Sequence, residues 1–152
     1  MTAYTLLKFL HVLLAIAAVG ANITYGLWLA RAAREPRHLE YVLRGVKVLD
    51  DRVANPSYAL LFVTGAAMIY VGDLSWTTPW LLASLVLYAV VLLLGLLGYT
   101  PLLRRQIALL SAGGPASPEY RTAERRARLV GTALAVLVVA IVFLMVVKPG
   151  LW

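Results

Sequence analysis

Four stretches of the chain run for 19 residues or more without Asp, Glu, Lys or Arg: residues 9–30, 53–71, 80–103 and 129–147. A helix of roughly 20 apolar residues crosses a bilayer core about 30 Å thick. A water-facing helix would bring polar side chains to one face every third or fourth position, and these stretches lack such a face. The pattern predicts an all-α, four-helix transmembrane bundle forming a single integral membrane domain over residues 1–152. The first stretch reads as a span and not a cleaved leader. It is longer than the apolar core of a signal peptide, its charges follow it, and no soluble domain comes after it.

Helix ends are marked along the chain. Pro79 precedes the third span, a favoured position at a helix start. Ser117-Pro118-Glu119 reads as an N-cap, an N1 proline and an acidic first turn, so the fourth helix starts there with a basic stalk before its span. Gly113-Gly114-Pro115 breaks the chain between the third and fourth helices. Pro101 predicts a kink, with a short helical extension through Leu110. Between the first two spans, Leu39, Val42, Leu43, Val46, Leu49 and Val53 recur at helical spacing. They predict either an amphipathic helix lying near the headgroups or an extension of the second span bent at Asn55-Pro56.

Composition agrees with a membrane chain: 62% of the 152 residues are hydrophobic and 14% charged, against about 25% charged in a typical soluble domain. The net charge of +7 would raise nucleic acid as a partner if it lay on a soluble surface. It is concentrated between spans instead, which points to membrane orientation and not to nucleic acid. Arg31, Arg34, Arg37, Arg44, Lys47 and Arg52 follow the first span, and Arg104, Arg105, Arg121, Arg125, Arg126 and Arg128 follow the third. Only Lys8 and Lys148 lie on the other side, a bias of twelve to two. Both long loops are therefore expected in the cytoplasm and both termini outside. Tyr4, Tyr70, Trp76, Trp80 and Trp152 fall at the outer interface, and Tyr25, Trp28, Tyr58 and Tyr99 at the inner one, where Trp and Tyr rings anchor at headgroup level. Asp50 and Asp51 precede the second span and are expected to pair with Arg52 or nearby arginines.

Candidate chemistry is sparse. The chain has no cysteine, which excludes disulfides, iron–sulfur clusters and thiolate metal sites. No nucleotide-binding loop, zinc-protease helix or nucleophile elbow is present, and no metal site is expected. No span holds a carboxylate, which weighs against a proton-coupled transporter. The first span carries the main polar feature. Tyr4, Lys8, His11, Ala15, Ala18, Asn22 and Tyr25 recur at alternating steps of four and three, so they share one helix face. The alanines would let a neighbouring helix approach, and Lys8, His11, Asn22 and Tyr25 form an intramembrane polar seam. His11, the one histidine within a span, could ligate haem iron or a metal, relay protons, or hydrogen-bond to a neighbouring helix. In the third span Ser84, Tyr88, Val91, Gly95 and Gly98 form a stripe expected to face the bundle.

The run Leu7-Lys8-Phe9-Leu10-His11-Val12-Leu13, followed by Val19-Gly20 and Asn22, and then Val48-Leu49-Asp50, Pro56 and residues 60–65, resembles a bacterial family of predicted four-span integral membrane proteins of unknown function. The first-span pattern is also loosely similar to copper-resistance D-type membrane proteins and to haem-bearing membrane protoporphyrinogen oxidases. That second resemblance implies haem b as a cofactor and His11, alone at the matching position, as its ligand. The later intramembrane histidines of a multi-histidine site are missing here.

Taken together, the sequence predicts a multi-pass protein of the bacterial cytoplasmic (inner) membrane, in contact with the lipid bilayer. Its expected role is a non-enzymatic subunit or scaffold, assembled as a homo-oligomer or within a larger membrane complex. The alternatives are a haem-binding redox protein using His11 and an oligomeric permease for a small solute or ion.

Overall fold

A computed structural model describes residues 2–150, so Trp152 lies outside the described residues. Six α-helices make up four long rods: α1 (Ala3–Ala32), α2 (Leu39–Leu49) continuing into α3 (Asn55–Val71), α4 (Pro79–Leu93) continuing into α5 (Thr100–Gly113), and α6 (Pro118–Val147). All four rods are long and apolar enough to cross a membrane. No strand occurs among the described residues. A 30-residue helix such as α1 or α6 measures about 45 Å, so it outreaches the hydrocarbon core at one or both ends. Lys8 consequently lies inside α1.

Caps set several of the rod ends. The Thr2 hydroxyl accepts from the Thr5 N–H at 3.2 Å, and the Ser117 hydroxyl accepts from the Tyr120 N–H at 3.3 Å, with Pro118 opening α6. Pro79 opens α4. α5 runs to Gly113, three residues beyond the expected extension, and ends at Gly114 with φ +75°.

The two middle rods are each widened by one π-helical turn, Asp50–Ala54 and Leu94–Tyr99. Proline accounts for both. A proline ring clashes with the carbonyl four residues back and offers no N–H to the helix. Pro56 and Pro101 each stand two residues after a π turn, and the residues four back, Arg52 and Leu97, lie within those turns. Widening the backbone there relieves the clash, and the N–H groups of Asn55 and Thr100 reach back five residues, to Asp50 and Gly95. The expected disturbances at Pro56 and Pro101 therefore take the form of π turns, a known way to deform a helix without ending it.

α1 packs on α3, α4 on α6, α5 on α6, and α2 on both α5 and α1. Of the two arrangements expected for residues 39–49, the extension of the second span is the one present. Leu39, Leu43 and Val46 are buried, so α2 is an integral part of the bundle. The buried cluster concentrates toward the basic end, where Leu43 and Leu103 are fully enclosed beside Leu110 and Tyr120. Where such side chains lie beyond the hydrocarbon, the hydrophobic effect favours their burial. Within lipid no such force acts between helices, which associate through packing and hydrogen bonds. The outward faces of the rods carry large exposed apolar residues such as Ile16, Ile23, Leu97 and Val136. At the opposite end the Lys148 ammonium lies 5.2 Å above the Trp80 ring and ties the end of α6 to the start of α4.

Candidate functional site

The α1 seam faces α3. His11 Nδ1 lies 2.8 Å from the Thr64 hydroxyl, which itself lies 2.8 Å from the Leu60 carbonyl oxygen. In the tautomer that carries its proton on Nδ1, His11 donates to the Thr64 oxygen while Thr64 gives its own proton to that carbonyl. This assignment leaves the Nε2 lone pair without a hydrogen-bond partner among the described residues. Gly65 makes the approach possible. A Cβ there would stand 3.3 Å from His11 Cε1, so any side chain would press on the imidazole.

About three turns further along α1, the Asn22 amide donates to the Tyr58 hydroxyl, and the Tyr88 hydroxyl of α4 donates to the Tyr58 backbone carbonyl. Tyr58 thus joins three rods. Ala18, between His11 and Asn22 on α1, is fully buried and provides the close approach on which both contacts depend. Lys8 is exposed and stands apart from these pairs.

The seam ends in a second polar cluster that the sequence did not announce. Asp50, 5% exposed, accepts from the Thr100 hydroxyl at 2.8 Å and, more weakly, from the Asn55 amide at 3.4 Å. Asn55 and Thr100 are the residues immediately before the two prolines, so each π turn delivers one donor to the same carboxylate. Tyr25 stacks on Tyr99 beside them, with ring centroids 6.4 Å apart and planes 4° from parallel. The Tyr25 hydroxyl is enclosed without a hydrogen-bond partner among the described residues.

Two expectations need correction. Asp50 and Asp51 do not pair with arginine. Asp51 binds Lys47, one helical turn back, and Asp50 points inward to Thr100. Of the tyrosines expected at the inner interface, Tyr25 and Tyr99 are buried and Tyr58 is bonded within the bundle; interhelical stacking and hydrogen bonds hold them inside, and Trp28 remains half exposed. The spacing did carry a signal for Asp50. Leu39, Leu43, Val46 and Asp50 step by four, three and four, and all four are buried, so Asp50 continues the apolar stripe of α2.

The model of a family described as predicted integral membrane proteins, DUF2269, matches residues 5–149. The chain belongs to the DUF2269 family. No curated protein and no solved structure matches this DUF2269 chain. Among its described residues no group of three or more His, Asp or Glu side chains is arranged to hold a metal ion. Of the four predicted seam residues of this DUF2269 protein, His11 and Asn22 meet α3, Tyr25 meets Tyr99, and Lys8 joins none of them. Asp50, Asn55, Tyr58 and Thr100 complete the constellation.

Proposed function

We propose that this DUF2269 protein is a non-enzymatic subunit or scaffold of a membrane assembly, either a homo-oligomer or a larger complex. The bacterial cytoplasmic membrane is its proposed location, with the basic end in the cytoplasm and both termini outside, as the twelve-to-two distribution of basic residues supports. The observation that carries the role is the use made of the polar groups between the helices. His11 engages Thr64, Asn22 and Tyr88 engage Tyr58, and Thr100 and Asn55 engage Asp50. These groups join the chain's own helices, so the seam acts as a structural joint. The outward faces carrying Ile16, Ile23 and Val136 are then the surfaces available to a partner. A photo-crosslinking residue placed at each of these positions in growing cells should yield protein adducts of discrete mass at one face. Lipid adducts alone at all three positions would overturn the subunit reading.

A specific geometry favours haem binding as the second reading. In the tautomer that donates to Thr64, His11 keeps its proton on Nδ1 and offers Nε2 as a free donor atom, the form in which histidine binds haem iron. The purified protein would then show a Soret band that His11→Ala abolishes. A colourless protein from haem-replete cells would remove this reading.

A further inference from the structure

Two adjoining open depressions of about 260 and 490 Å³ lie on the surface between the third rod and α6 and share Leu102, Arg105 and Arg126. They form one groove with unlike ends. Toward the middle of the bundle its walls are Leu97, Gly98, Pro101, Leu129 and Val130. Beyond the arginines it opens among Pro118, Glu119, Thr122 and Ala123.

The groove carries two arginines and one carboxylate, a net positive charge. Arg105 and Arg126 are exposed, and neither forms an ion pair among the described residues. Glu119 is the one carboxylate lining the groove, and it stands seven residues from Arg126 on α6, about 10 Å along the helix axis. Two guanidinium groups lining the same groove, neither in an ion pair among the described residues, offer forked donors suited to a phosphate. The apolar end adds a second requirement. Leu97 lies eight residues from Arg105, about 12 Å deeper along the rod, a depth comparable to much of an acyl chain. Gly98 keeps the floor low, since a Cβ there would only touch Val130 Cγ1 at 3.6 Å and a longer side chain would fill the space.

We propose that this groove binds one anionic phospholipid from the leaflet at the basic end. Its phosphodiester rests on Arg105 and Arg126, and an acyl chain lies along Leu97, Gly98 and Val130. Charge complementarity selects the anion, and the apolar floor selects a lipid over free phosphate.

Native mass spectrometry of the full chain in neutral detergent, titrated with dioleoyl phosphatidylglycerol or dioleoyl phosphatidylcholine, tests this. Phosphatidylglycerol should bind more tightly by about tenfold or more. The R105Q/R126Q variant should weaken it about 30-fold. R104Q/R125Q removes the same charge outside the groove and should change binding less than about threefold. Gly98→Leu should weaken binding with the charge unaltered. All variants should keep wild-type helicity by circular dichroism, and Lys at 105 and 126 should restore part of the affinity. An equal loss in R104Q/R125Q would reveal general attraction to a basic surface and overturn the site. Equal binding of phosphatidylcholine, or displacement of the lipid by glycerol phosphate at similar concentration, would overturn it as well.

Discussion

At the residue scale the seam is held by packing more than by its hydrogen bonds. An interhelical hydrogen bond in a membrane contributes about 0.6 kcal/mol on average, whereas inserting a methyl group into a tight contact costs about 1–3 kcal/mol. Thr64→Val, which removes the His11 bond at nearly constant volume, should therefore lower thermal stability less than Gly65→Ala, which drives a Cβ against the imidazole. Unfolding in detergent measures both, and the reverse ranking would contradict the packing account. Asp50 differs because it is shared. Replacing it with Ala strips Thr100 and Asn55 of their acceptor together, a loss of about 1–3 kcal/mol, and Asn at this position should recover part of it. A variant with Ala at 50 as stable as the wild type would remove the cluster's structural role. The sequence exposed half of this picture. His11 and Asn22 stood out as polar residues in an apolar span. Asp50 did not, because it sits among charged neighbours and its inward direction depends on α2 being buried.

At the element scale, two prolines explain the two π turns, and the two π turns explain how the middle rods meet. Both Pro56 and Pro101 were legible as disturbances. Their form was not, because a proline can be relieved by a kink, a break or a wider turn, and neighbouring helices decide among these. The packing of α2 was likewise undecidable from its periodicity, since an amphipathic helix can face headgroups or protein. Its buried face is now a source of stability through packing. Leu43→Ala should cost about 2–5 kcal/mol, and amide exchange across residues 39–49 should quicken. Unchanged exchange would show that α2 is not anchored through that face. On the exposed side, Glu40 accepts from Arg44 at 2.6 Å and from Ser111 at 3.2 Å, and these bonds, that to Arg44 foremost, hold its carboxyl below the usual glutamate range. The folded pKa is depressed, so the contact contributes above the ordinary glutamate value and is lost as pH falls through the lowered one. Protection of the amides of residues 39–49, taken relative to their intrinsic exchange rate at each pH, should be greater at pH 6 than at pH 3, and Glu40→Gln should reduce that difference. A difference unchanged by Glu40→Gln would assign the pH response to other groups.

At the scale of the whole molecule, four apolar rods and one basic end were legible at once, because a missing polar face over 19 residues leaves few alternatives to lipid. Orientation follows from the proposal that the basic end is cytoplasmic, and the absence of native cysteine makes it simple to test. In intact cells, a membrane-impermeant maleimide should label a single cysteine at Ser75 and spare one at Ser111; the opposite pattern would invert the topology. Function was the least legible level. The residues that stood out for chemistry are engaged in joining helices, and a joint and a ligand site use the same residue types. The decisive quantity is the mass of the native particle, extracted in polymer nanodiscs with its surrounding lipid. The account predicts a stable assembly containing two or more copies of the 16.6 kDa chain or the chain with a fixed partner. A uniform particle holding one copy and no other protein would contradict it.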